Sequence, residues 1–261
     1  MKQIKDFRVQ IISLNPKGHT SILSMKESVD IQRLNQRVTT ITFLGSNDIS
    51  LDGIPLTEAS KVAFNLGQSV YPLSFQMNEE DYELLNFDEA KAQWDKYCKI
   101  ACSGEESEYV KEYIESSSLW MKDERTFLKA IMQRIFLQLM LFKDNQDYLL
   151  TPNYPNPNTP LQWKLKRTSS YFNPSIWDLK AQLPGSNPYF VEGKGILEVE
   201  KTNHGIPKDI HLEFRVEMSN EGYYRKMVDI NIIEEGYGRI YCQRSKSDLQ
   251  IWNLCRSITS K

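Results

Sequence analysis

Ile210-His-Leu-Glu-Phe-Arg-Val-Glu-Met218 is the stretch that decides how this chain folds. Ile210, Leu212, Phe214, Val216 and Met218 alternate with His211, Glu213, Arg215 and Glu217. Side chains of a strand point alternately to opposite faces, so this is a strand with one buried and one wet face. Ser219-Asn220-Glu221-Gly222 turns it towards Val228, Ile230 and Ile232, and Glu235-Gly236 turns that towards Ile240 and Cys242. Connections this short predict an antiparallel meander. Ser247-x-x-Gln250 then has the form of a capping box, opening a closing helix with Leu249, Trp252 and Cys255 on one side.

Upstream of the meander, Leu161, Trp163 and Leu165 alternate with Gln162, Lys164 and Lys166, which predicts one more strand. Before it, Thr151 to Pro160 carries four prolines in ten residues and can be neither helix nor central strand. We place a boundary or projecting arm at 151–160, a β-then-helical unit at 1–150 and an antiparallel β unit at 161–261.

The first unit opens in period 2. Phe7, Val9 and Ile11 mark one strand, Ser21–Met25 a short one and Val38 to Leu44 a Thr-rich third, with Asn15-Pro16-Lys17-Gly18 as a turn. Asp52-Gly53 is a hairpin signal. From Thr57 the period changes to that of helices. Ala59, Val62, Ala63 and Leu66 form one face ended by Gly67, and after an extended Tyr71–Gln76 link Asn78 precedes the acidic turn Glu79-Glu80-Asp81 of a second helix running to Gly104. Phe127/Leu128, Ile131/Met132, Ile135/Phe136 and Leu139/Met140 recur every four residues as a third, whose last turns are apolar almost all round and belong in the core. The fold class expected is α+β: an N-terminal β region, a helical middle of about three helices, and a C-terminal meander with a closing helix. Whether the two β regions share one core is open.

With 40% hydrophobic and 25% charged residues the composition is that of an ordinary globular protein, and a net charge of −2 excludes binding nucleic acid by global charge alone. No apolar run of the length needed to span a bilayer occurs, and Met1-Lys2-Gln3-Ile4-Lys5-Asp6 lacks a secretory core, so the expected localisation is intracellular. Four cysteines fit that setting as thiols. Cys98 and Cys102 share a helical face but match no zinc spacing, so we expect neither metal nor cofactor.

No nucleophile elbow, phosphate loop, zinc-helix motif or dinucleotide fingerprint is present, and His19, His204 and His211 sit in no ligand pattern. One arrangement carries chemistry in outline. Asp178 followed by Glu192-Gly193-Lys194 is how a Mg²⁺-dependent nuclease could be laid out, with two carboxylates on the ion and a lysine near the attacking water, Glu198 or Glu200 assisting. Trp163, Lys164, Lys166 and Arg167 beside it could bind a nucleic-acid strand by stacking and charge.

Charge is segregated as well. Residues 1–40 carry seven Lys/Arg against three Asp/Glu, and residues 78–108 three against ten. We therefore expect a non-enzymatic structural or protein-interaction subunit that self-associates, for which a viral or phage-derived particle is one setting. A nuclease or nucleic-acid-binding protein is the first alternative, and an inhibitor or antidote of one protein partner the second.

Overall fold

The computed structural model describes residues 2–35, 38–78, 81–101, 108–151, 154–155, 161–169, 174–185, 187–202 and 205–233. The expected turn at Glu235-Gly236, the strand at Ile240 and the closing helix lie outside the described residues.

Three long strands begin the chain: β1 (Lys2–Leu14), β2 (Thr20–Arg33) and β3 (Thr39–Leu51), followed by the short β4 (Ile54–Pro55). Asp52 and Gly53 both adopt positive φ, 54° and 77°, as the tight hairpin between β3 and β4 requires. Helix α1 (Glu58–Gln68) starts at Thr57, whose side chain accepts a bond from the Ser60 amide.

The stretch expected to be the second helix divides in two. Its front half holds β6 (Tyr82–Leu84), which forms a hairpin with β5 (Leu73–Met77) from the stretch expected to be extended, and only its rear half is helical, α2 (Phe87–Ala101). Two asparagines decide this. Asn78 Oδ1 accepts from the Asp81 amide at the hairpin tip, while Asn86 accepts from the Ser74 amide and donates to Pro72 O. Short polar side chains that bond nearby backbone favour turns over helix.

After α3 (Glu108–Ser118) and a 3₁₀ turn at Trp120–Lys122, the third expected helix is also two: α4 (Glu124–Ile131) and α5 (Ile135–Met140). The chain breaks at Arg134, which is extended there and donates to Tyr71 Oη at 2.6 Å and Gly67 O at 3.1 Å. The apolar end does lie in the core. Phe136, Leu137, Leu139, Met140, Leu141 and Phe142 are all buried.

Then come β7 (Tyr148–Thr151), β8 (Leu161–Ser169), β9 (Ser175–Gln182), β10 (Phe190–Lys201), β11 (Pro207–Met218) and β12 (Gly222–Ile233). All pairings are antiparallel in one sheet of order β6-β5-β3-β2-β1-β12-β11-β10-β9-β8-β7, with β4 beside β3. The two β regions are joined by β1 and β12, in register from Asp6↔Ile233 to Leu14↔Arg225, and their inward residues form one core.

The α+β expectation is therefore overturned. About half of the described residues are strand, and a 12-stranded antiparallel sheet dominates a small helical layer. What looked like an N-terminal β region and a C-terminal meander are two wings of that sheet, and the middle contributes three strands of its own. Helix α5 sits on it as a wedge. The Phe136 ring meets Phe7 of β1 and Phe43 of β3 at 6.1 and 5.9 Å, and Phe142 meets Trp177 of β9 at 5.0 Å, all edge-on.

The other wing is packed without a helix. Trp163 of β8 lies down across the sheet until its ring is 4.4 Å from Phe214 of β11, three strand intervals away, or roughly 14 Å at ~4.8 Å each. The indole can cross because Gly193 and Ala181 lie beneath it. A Cβ on Gly193 would overlap Ala181 and stand 3.2 Å from the Trp163 ring. Gly193→Ala is therefore expected to cost about 1–3 kcal/mol in urea denaturation, the usual penalty for overpacking. Gly185→Ala, where nothing lies within 4 Å, should change stability little and serves as control.

Candidate functional site

The residues singled out in the sequence are not gathered into one site. Trp163 is fully buried and its Nε1 donates to Thr151 Oγ1 at 2.7 Å, whereas Lys164 and Lys166 point to the opposite, wet face. Arg167 stacks on Trp177 at 5.4 Å, lies 3.5 Å from Asp144 and donates to Ser175 Oγ. Asp178, Glu192 and Lys194 are all exposed on the wet face. Lys194 pairs with Glu192 at 2.8 Å. Asp178 is in register with Ile196, four residues along from Glu192, or ~13 Å at ~3.3 Å per residue, more than one ion's ligands span. Among the described residues no group of three His, Cys, Asp or Glu could hold a metal ion. Cys98 is a half-buried thiol against the core, and Cys102, His204, Tyr171 and Phe172 lie outside the described residues.

Register does create a row of cations on the wet face. Lys164, Lys180, Lys194, Arg215 and Arg225 are successive cross-strand partners on β8 to β12. Like charges directly opposite destabilise a sheet, and here acids in the flanking rows offset much of the cost. Glu213 takes Arg225 in two bonds of 2.9 and 3.0 Å and stands 3.6 Å from Arg215, while Glu192 takes Lys194. The basic N-terminal segment is likewise partly neutralised from within, by Lys26–Asp6 at 2.7 Å. His211 stands against Asp229 at 2.6 Å, and that bond raises its pKa above the ordinary histidine value.

Glu27, Gln138 and Lys226 are polar or charged side chains on the core side, and their circumstances differ. Glu27 follows Met25 and precedes Val29 and Ile31 in phase on β2. Burial raises its pKa, opposed by a short bond from the Ser46 hydroxyl and by the nearby Arg134 charge. Gln138 of α5 gives Nε2 to Leu150 O at 3.0 Å and accepts from Leu150 N at 3.2 Å, replacing the strand that β7 lacks at its outer edge. Both are structurally satisfied.

Lys226 is the exception. It stands in phase with Val228 and Ile230 of β12, opposite Ser13 of β1 and Phe214 of β11. Among the described residues no acceptor or carboxylate pairs with its ammonium, whose nearest feature is the Tyr154 ring, 5.5 Å from Nζ to centroid. Burial lowers its pKa from the ordinary 10.5. Its surroundings are an open pocket of about 150 Å³ floored by Phe214, Thr151 and Tyr154, with Ile135, Leu150 and Gln133 around it. Tyr154 presents its ring, because its hydroxyl donates to Phe214 O at 3.4 Å and burial holds its pKa far above the usual phenol value.

A second hollow, lined by Trp94, Tyr113, Ser117 and Arg134 among the helices, measures about 40 Å³. That admits roughly one water, whose share of liquid volume is ~30 Å³, so of these two hollows the one at Lys226 has room for an organic molecule. Sequence reasoning passed over Lys226, although a lysine two residues before Val228 in the same phase is the visible signal. Tyr154 sits in the Pro-rich segment and gave none.

Comparison with known proteins adds little. No family model matches the chain, and no curated protein does. A solved structure described as "lipid-protein interactions in lipovitellin" is similar over 89% of this chain, at 10% identity and a TM-score of 0.44, and the chain spans 25% of that protein's length. A crystal structure of a DUF1329 family protein from Desulfovibrio piger aligns over 92% of this chain and 90% of that one, at 8% identity and a TM-score of 0.18. At these values neither likeness identifies a fold or a function. No helix among the described residues is long and apolar enough to cross a membrane.

An ammonium that is partly desolvated and, among the described residues, unpaired weakens the folded state. Lys226→Met, which keeps the stem and removes the charge, is expected to stabilise the protein by about 1 kcal/mol at pH 7 in urea denaturation. The gain should shrink as pH rises towards 10.5. Between the folded and unfolded pKa values the unfolded chain binds more protons, so raising the pH relieves the same penalty in the unsubstituted protein.

Proposed function

We propose that this chain is a non-catalytic binding protein that holds a small molecule in the pocket between β7, the start of α5 and strands β11 and β12. The observation that carries this reading is Lys226 itself. A cation left without a partner among the described residues, on the apolar phase of a strand, is a stability cost that one more apolar residue would have avoided, and costs of this kind concentrate where a ligand binds. The walls suit binding better than chemistry. They combine the apolar and aromatic Ile135, Leu150, Phe214 and Tyr154 with the neutral Gln133 and Thr151, and among the described residues neither a nucleophile with its base nor a pair of carboxylates accompanies the lysine.

Self-association through the sheet has less support. An exposed strand edge is the natural place for chains to add to one another, and both ends of this sheet are short, β6 with three residues and β7 with four. At β7 the outward N–H and C=O of Leu150 are already taken by Gln138. The exposed pair Leu119 and Trp120, at the start of the 3₁₀ turn, is the surface that best favours the protein-interaction reading.

The pocket reading is tested by methyl NMR with a neutral aromatic probe, benzyl alcohol. Shifts should concentrate on the methyls of Ile135, Leu150 and Thr151, and Leu150→Trp, which places bulk at the rim of the pocket, should abolish them. Shifts scattered over the surface, or none up to millimolar probe, would contradict the proposal.

A further inference from the structure

We infer that the pocket's ligand is a monocarboxylate with a compact apolar body, about the size of benzoate, its carboxylate on Lys226 and its body against Phe214 and Tyr154. The inference rests on the pocket being a binding site and adds the class of molecule bound there.

Three observations select that class. Lys226 supplies one full positive charge and, among the described residues, no second cation lines the pocket. One lysine matches one carboxylate, whereas a phosphate dianion normally draws an arginine, a helix N-terminus or several amide donors. The neutral polar groups are largely committed elsewhere: Thr151 Oγ1 accepts from Trp163 and lies 3.5 Å from Leu161 O, and the Tyr154 hydroxyl is directed to Phe214 O. Of the rest of the lining Gln133 is polar and Ile135, Leu150 and Phe214 are apolar, and with Tyr154 the wall offers aromatic faces. The size then limits the body. A cavity of about 150 Å³ holds a single benzene-sized molecule, too little for a long acyl chain or a nucleoside.

The charge and the wall act on the same ligand. A carboxylate gives the ammonium the acceptor that no described residue supplies, and a charge-assisted bond in a partly desolvated site is stronger than one at the surface. The ring displaces loosely held water from the apolar wall.

The test is calorimetric titration of the full-length chain, in a buffer free of carboxylates, with benzoate and with benzyl alcohol, a neutral molecule of similar shape. Benzoate should bind at least about tenfold more tightly than benzyl alcohol, as one charge-assisted bond is worth. Lys226→Met should erase that preference while leaving benzyl alcohol binding within about twofold. If both probes bind alike and Lys226→Met alters neither, the pocket reading stands and the carboxylate inference is overturned. If neither probe binds the unsubstituted chain, the pocket reading fails and the inference with it.

Discussion

Everything in this fold depends on the pairing of β1 with β12. Phe7↔Ile232, Val9↔Ile230 and Ile11↔Val228 bring together residues more than two hundred positions apart. Closing so long a loop costs more conformational entropy than any hairpin in the molecule, although the cost grows only slowly with length. It is offset by continuous burial: Phe7, Val9, Val228 and Ile230 are all fully inaccessible. Without this ladder there would be two separate wings, each with an exposed edge. With it, there is one face on which α4 and α5 can lie, and one site at which Lys226 meets Ser13, Phe214 and Tyr154.

The helical layer is fitted to that face by aromatic contacts more than by length. Helix α5 has six residues, too few to be stable by itself, and persists because its side chains are wedged between strands. Its break from α4 follows from the same demand. A continuous helix would carry Arg134 onward in helical geometry, away from Tyr71 and Gly67, and would leave the charge of Glu27 without a nearby counter-charge. Polar groups inside this core are thus arranged in compensated sets, Glu27 with Ser46 and Arg134, Gln138 with Leu150. Beside these two, Lys226 has no such set among the described residues, and that contrast gives it functional weight.

How much of this was legible in the sequence depends on whether the deciding contact was local. β11 and β12 were readable to within a few residues because each has one wet face, and the Asp52-Gly53 turn because only particular residues tolerate its backbone. The N-terminal strands were found but cut short. β2 runs to Arg33, and its inward phase contains Glu27, which reads as solvent-facing until its partners, Ser46 on β3 and Arg134 just before α5, are known. The tip and base of the β5–β6 hairpin are held by Asn78 and Asn86, and Glu79-Glu80-Asp81 imitates the acidic start of a helix. Glu192-Gly193-Lys194 looked like chemistry because Glu and Lys flank a glycine. The glycine is there to pass beneath Trp163, a contact thirty residues away that no local pattern encodes. For the pocket, the lysine was legible as an anomaly of phase, but Tyr154, Ile135 and Phe214 come from three distant segments and are assembled only by the sheet.

The most direct test of the single-sheet account is native-state hydrogen exchange across increasing urea, comparing amides of β2 and β3 with those of β10 and β11. A sheet welded by β1 and β12 predicts that the most protected amides of both wings exchange through one global unfolding, with the same free energy and the same urea dependence. If β2 and β3 open at distinctly lower free energy while β10 and β11 stay protected, the wings are independent units, and the weld on which the pocket depends is not the constraint described here.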